Sequence, residues 1–231
     1  MKKMKYGFLF AIVFVIFTGT QGFSQKKHGH YNIRNYFGLH GGITKFDIAT
    51  DNFETKQGNG FYGGLINYID LPLKFYNLSF GLLFAQNNAG ILGRPSLISS
   101  EQEFIDYTIR SVQLAVLFHV KVISDYVMLE LGPTVQYSGE MEFDDERQRT
   151  YYINNYANLS AEDILKISPL GVNGVVGLSF GLKRFRLRGQ YTYGFSNIFN
   201  KLNGENLNTS GGNNDFKGNQ EQFSFGVVIN L

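Results

Sequence analysis

Cysteine and tryptophan are both missing from the 231 residues, only 4 residues are proline, and charged side chains make up 17%. Without cysteine there is no thiol nucleophile, disulfide, zinc–thiolate centre or iron–sulfur site. The scarcity of proline excludes collagen-like and Pro-rich linker sequences. Long apolar runs are nearly missing as well. Residues 7–17 (GFLFAIVFVIF) form one, but a spanning helix needs about 20 such residues. A mean hydropathy of −0.14 is too polar for a helical membrane protein. Nor is there a charge excess: the net value of +2 owes three units to Lys2, Lys3 and Lys5, so no nucleic-acid partner is expected. What the chain has in quantity is 22 Phe, 14 Tyr and 27 Gly, with 43% hydrophobic residues. That content is too apolar for a disordered chain.

Three lysines in residues 1–5, the apolar run, and a polar stretch with small residues follow the plan of a secretory signal peptide. Gly22 and Ser24 place the cut between Ser24 and Gln25. The expected organisation is a signal peptide over 1–24, a periplasmic leader over 25–35 and one domain over 36–231. His28 and His30 in the leader are spaced to share copper or zinc. With no carboxylate or third histidine nearby, they read as plain leader residues, and no metal or other cofactor is expected.

Beyond residue 35 apolar residues recur at every second position, the period of a strand. In residues 185–196, Phe185, Leu187, Tyr191, Tyr193 and Phe195 share one face, and Arg186, Arg188, Gln190, Thr192 and Ser196 the other. Val112, Leu114, Val116, Phe118 and Val120 oppose Ser111, Gln113, Ala115, His119 and Lys121, with Leu117 an apolar misfit. Residues 127–138, 170–181 and 222–231 alternate as cleanly, and 36–47, 60–70 and 76–87 do so with more glycine. Eight strands of about 10 to 13 residues result. Such lengths exceed the usual about 5 to 6 and match a tilted membrane-spanning strand of about 9 to 11.

The connections alternate long and short: 48–57, 88–105, 139–169 and 197–220 against 71–75, 122–126 and 183–184. In an up-and-down antiparallel sheet the long ones then gather at one end, as in outer-membrane barrels. The expected fold is all-β, an eight-stranded antiparallel up-and-down transmembrane β-barrel preceded by a signal peptide.

Side-chain size decides which face looks inward. Gly, Ser, Thr, Asn and Gln suit a narrow lumen, while Phe, Leu, Val and Tyr need the room outside. An exported soluble barrel of lipocalin type would have the faces reversed. Tyr107, Tyr137 and Tyr193 at the long-loop rim, with Tyr68, Tyr76 and Tyr126 at the short-turn rim, are expected to form two aromatic girdles.

His119, Lys121, Glu130, Arg186 and Arg188 fall on the lumen face near the short-turn end. Charges of both signs in a narrow bore should pair, which makes them an ion-pair plug; a proton or ion path is the sharper alternative. His40 reads as a lumen polar group. Arg110 and Lys45, near the long-loop rim on the lipid side, read first as rim charges snorkelling into water; contact with anionic lipopolysaccharide is the sharper alternative. The 139–169 loop carries Asp144, Asp145, Glu146, Arg147 and Arg149, and Ser160 with Asp163 forms a capping box for a short helix through Ile167. The Asn- and Gly-rich 197–220 segment is expected to be mobile.

Residues 186–198 (RLRGQYTYGFSNI) and 130–137 (ELGPTVQY) resemble the penultimate strand and the Gly-Pro strand of the Bacteroidetes-type outer-membrane β-barrel family, the PorT-like group. The resemblance implies an integral outer-membrane protein of a Gram-negative bacterium, and some relatives serve type 9 secretion. The functional expectation is a non-enzymatic barrel with a filled polar lumen, displaying long extracellular loops for interaction or structure. Its partners would be outer-membrane lipid and lipopolysaccharide, the barrel assembly machinery, and a protein at the loops. A narrow pore and a lipid A-modifying enzyme are the alternatives. The latter needs a serine, a histidine and a carboxylate at the outer rim, where His119 does not lie.

Overall fold

The computed structural model describes residues 33–231. The expected signal peptide, His28 and His30 lie outside the described residues. Ten strands follow in order: β1 (Arg34–Ala49), β2 (Thr55–Asp70), β3 (Tyr76–Arg94), β4 (Glu103–Ile123), β5 (Val127–Ser138), β6 (Glu142–Phe143), β7 (Tyr152–Ile153), β8 (Leu170–Gly181), β9 (Phe185–Gly194) and β10 (Asn219–Asn230). Eight of them form a closed antiparallel ring, β1-β2-β3-β4-β5-β8-β9-β10, sealed where β10 pairs with β1 from Gly38↔Asn230 to Ala49↔Asn219. Closure is required in a bilayer, because hydrocarbon offers an unpaired amide no partner and each one costs several kcal/mol. The two-residue strands β6 and β7 add to the outer ends of β4 and β3.

β3 and β4, at 19 and 21 residues, outrun the expected lengths. They and β2 continue past the apolar band, which shortens the β1–β2 connection to 50–54, no longer than the opposite turn at 71–75. Strict alternation of long and short connections therefore fails at that one place.

The continuation reverses the chemistry of the two faces without changing their phase. On β4 the outward residues Phe118, Val116, Leu114 and Val112 give way to Arg110, Thr108 and Asp106. Inward, His119, Gln113 and Ser111 give way to Ile109, Tyr107 and Ile105, all buried. β1 shows the same switch, Thr44 inward being followed by Phe46 and Ile48. Within the membrane the apolar side faces lipid; beyond it the strands obey the rule of water-soluble proteins, with apolar groups inside. Leu117, the misfit, points inward and packs with Ala115 and Val175.

The inward apolar residues of β1, β3 and β4 are covered by the connections at this end, the short 50–54 segment included. Phe53, Met141, Ile153, Tyr156, Leu159, Ile164, Phe199, Leu202 and Phe216 join them in one buried core. Phe53 meets Phe199 edge-on at 5.2 Å and stacks on Phe216 at 5.8 Å. The 197–220 segment, expected to be mobile, is instead anchored. The Asn203 amide donates to the Phe216 carbonyl at 3.0 Å and accepts from the Phe216 amide at 2.7 Å. Asn197 clamps Phe216 and Gly218 in the same manner, at 2.8 and 2.9 Å. The Asn richness that reads as looseness supplies backbone partners. Ser160 and Asp163 do form a cap, with the Ser160 amide donating to the Asp163 carboxylate at 2.9 Å. The turn they start is a 3-10 helix over Ala161–Ile164 and not a helix to Ile167.

Candidate functional site

The lumen is built in layers from inward-facing side chains of the eight strands. Its centre is Glu130 on β5, whose direct cross-strand partner is His119 on β4. His119 Nδ1 lies 3.2 Å from a Glu130 oxygen and its Nε2 2.7 Å from Ser79 Oγ on β3. Arg188, arriving from β9, places Nε 2.8 Å from Glu130, and Gln190 donates to the same carboxylate at 2.7 Å. Arg188 also reaches the His40 ring at 3.2 Å, and the Tyr62 hydroxyl meets His40 Nε2 at 2.9 Å. One carboxylate and one guanidinium thus neutralise each other, and imidazole, amide and hydroxyl groups take up their remaining hydrogen-bonding capacity. Tyr62 needs room to do this: a side chain at Gly226 would collide with its hydroxyl and with the Gly41 carbonyl.

Lys121 and Arg186, expected in the same network, stand apart from Glu130. Lys121 Nζ lies 3.2 Å from Asp125 and 3.9 Å from Asp70. Arg186 donates to the Asp125 carbonyl at 2.6 Å and to Ser179 Oγ at 3.2 Å. The five residues therefore divide into a central cluster and a separate one at the short-turn mouth. His40, Tyr62, Ser79, Gln190, Asp70 and Asp125 complete the two clusters. For the residues on strands the inward phase was readable in the sequence, but Asp125 lies in the β4–β5 turn, and the pairing of strands distant in the chain was not readable.

Above the charges lies a layer of amides and hydroxyls. Thr44 donates to Asn87 at 2.6 Å, Asn87 to Gln222 at 2.9 Å, and Gln220 to Asn173 at 2.7 Å. The apolar cap core closes the outer end. The free space among His40, Tyr62, Leu117, Gln113 and Arg188 is about 30 Å³, room for a water molecule or two.

Of the six girdle tyrosines, Tyr76, Tyr126, Tyr137 and Tyr193 face outward; Tyr76 packs against Phe75 at 5.2 Å and Tyr193 against Phe195 at 5.7 Å. Tyr68 and Tyr107 do not belong to a girdle. Tyr68 shares the inward phase of Asp70 and receives the Asn77 amide at 2.7 Å. Tyr107 is 0% exposed and donates to the Ala161 carbonyl at 3.1 Å inside the cap. In the cap, burial pushes the Tyr156 hydroxyl above its ordinary pKa. On its surface, hydrogen bonds from Arg147 hold the Asp145 carboxyl below the usual range.

The outer membrane protein beta-barrel domain model matches residues 23–200, the stretch that carries seven of the eight ring strands. The chain belongs to this outer-membrane barrel family. Membership places it in the outer membrane as an integral protein. No curated protein sequence matches it. Among solved structures, this barrel is similar to the Neisserial surface protein A (NspA), at 13% identity over 84% of this chain and 97% of that one, with a TM-score of 0.49. It is also similar to Ail, the attachment invasion locus protein of Yersinia pestis, solved with the heparin analogue sucrose octasulfate. There the identity is 12% over 86% of this chain and 99% of Ail, with a TM-score of 0.43.

Proposed function

We propose that this outer-membrane barrel is a non-enzymatic protein of the PorT-like group, exported by its N-terminal signal peptide, that displays a folded extracellular cap to partners at the cell surface. The observation that carries the reading is the filling of the bore from the Lys121 cluster to the cap core. Such packing favours a plug over an ion path. A barrel of eight strands has its interior filled by side chains, and a conducting pore needs a wider ring.

Ser79, His119 and Glu130 have the spacing of a hydrolytic triad. Ser79 is 1% exposed, the adjoining space of about 30 Å³ is too small for an acyl chain, and Glu130 is already engaged by Arg188 and Gln190. The trio acts as a fastener between β3, β4 and β5. Partner contact belongs to the cap, whose β3–β4 tip presents Ile98 at 97% exposure.

Planar-bilayer recording of the folded protein tests the plug: conductance steps of hundreds of picosiemens would contradict it. Lipid A from a deletion strain is expected to keep its acyl pattern. Proximity labelling from a tag inserted beside Ile98 in intact cells is expected to mark a surface protein.

A further inference from the structure

The outward wall of the barrel carries a recess where its surface turns from apolar to polar. Register sets Gly63, Phe84, Val112 and Tyr137 side by side across β2, β3, β4 and β5. One step further out come Phe61, Gln86 and Arg110. Gly63 leaves its place in the first row empty; a Cβ there would meet only the His40 carbonyl oxygen, at 3.9 Å. The outcome is a groove of about 580 Å³, walled by Phe61, Phe84 and Tyr137, with Arg110 at its outer end.

Arg110 is the charged residue that lines this groove. Its Nε donates to Gln86 at 3.2 Å, and its guanidinium meets the carboxylate of Glu142 on β6. The two side chains are 57% and 56% exposed. An ion pair this open to water is weak and yields to a better acceptor. A phosphate is such an acceptor, since the guanidinium fork matches two of its oxygens. Directly below the guanidinium, the groove offers apolar surface of the kind that buries a hydrocarbon chain.

The geometry points to a binding site for one phosphorylated glycolipid of the outer leaflet, an acyl chain lying over Gly63 between Phe61, Phe84 and Tyr137 and a headgroup phosphate on Arg110. Depth selects the leaflet: Arg110 sits at the long-loop end, where the wall meets the outer headgroups. Glu142 competes with the phosphate for the same guanidinium, so the two charges act in opposite directions on the lipid. This site is independent of whether the cap binds a protein.

Native mass spectrometry of the folded barrel released from detergent, titrated in parallel with bisphosphorylated lipid A and with phosphatidylethanolamine, tests the proposal. The unaltered protein is expected to retain lipid A over phosphatidylethanolamine. Arg110→Gln is expected to weaken that retention about tenfold, and Glu142→Gln to strengthen it. Gly63→Leu, which fills the groove from a position with open space, is expected to weaken it with the folded barrel's gel mobility unchanged. The Arg110 and Glu142 variants alter only exposed side chains, so they report on binding and not on folding. Unaltered retention in either charge variant, or equal retention of the two lipids by the unaltered protein, overturns the proposal.

Discussion

Arg188 and Glu130 meet inside the barrel at 2.8 Å, from strands that are not neighbours in the ring, and each side chain is almost wholly removed from water. The contact ties β5 to β9 across the lumen. Its strength lies less in net stabilisation than in the cost of breaking it from one side.

Arg188→Leu leaves a buried carboxylate uncompensated and is expected to destabilise the barrel by about 3 to 5 kcal/mol. Adding Glu130→Gln to the same protein is expected to restore most of the loss, because the orphaned charge is then gone. Urea titration of the protein folded into vesicles, followed by tyrosine fluorescence, measures both. A double variant no more stable than the single one would show that Glu130 has other compensation.

The cap is expected to loosen independently of the membrane ring. Phe199→Ala removes a ring packed on Phe53 in the cap core, a change that costs about 3 to 5 kcal/mol in well-packed interiors. Trypsin added to intact cells is then expected to cut faster at Lys201 and Lys217, whose side chains are exposed but whose surrounding backbone is held in the unaltered cap by Asn197 and Asn203. Heat-resistant gel mobility, a property of the closed ring, is expected to persist.

High pH is expected to act on the same core through Tyr156. Burial raises its folded-state pKa, so the folded cap holds the proton more tightly than the unfolded chain. Stability is therefore full below the unfolded value of about 10 and falls as pH rises through it. Protease resistance of the cap above that pH is expected to drop in the unaltered protein, and to drop less in Tyr156→Phe.

At the short-turn end, Ser124 has φ 49° in the turn where the Tyr126 amide donates to the Ile123 carbonyl at 3.0 Å. A positive φ at the first central position of a hairpin turn suits glycine, and a serine there carries about 1 kcal/mol of strain. Ser124→Gly is expected to raise the urea midpoint by a corresponding amount. An unchanged or lowered midpoint would mean that the hydroxyl makes a compensating contact.

Strand period by itself determined the barrel. Val112, Leu114, Val116 and Phe118 against Ser111, Gln113 and His119 separate a lipid face from a lumen face, because a strand places alternate residues on opposite sides whatever surrounds it. The same parity already put Tyr107 in phase with Ser111, and Tyr68 in phase with Asp70. For those two tyrosines strand phase outweighs residue type and rim position, since the direction of a strand side chain is set by the backbone. Tertiary structure alone decided how far β3 and β4 run beyond the bilayer, and hence where the inward face turns from polar to apolar. It also decided which strand delivers a partner to Glu130, since Ser79 and Arg188 are distant in sequence and no local pattern couples them. The cap, too, was settled only by folding: Phe199 and Phe216 lie in segments without period, and their burial depends on the greasy inner faces of β1, β3 and β4 being there to receive them.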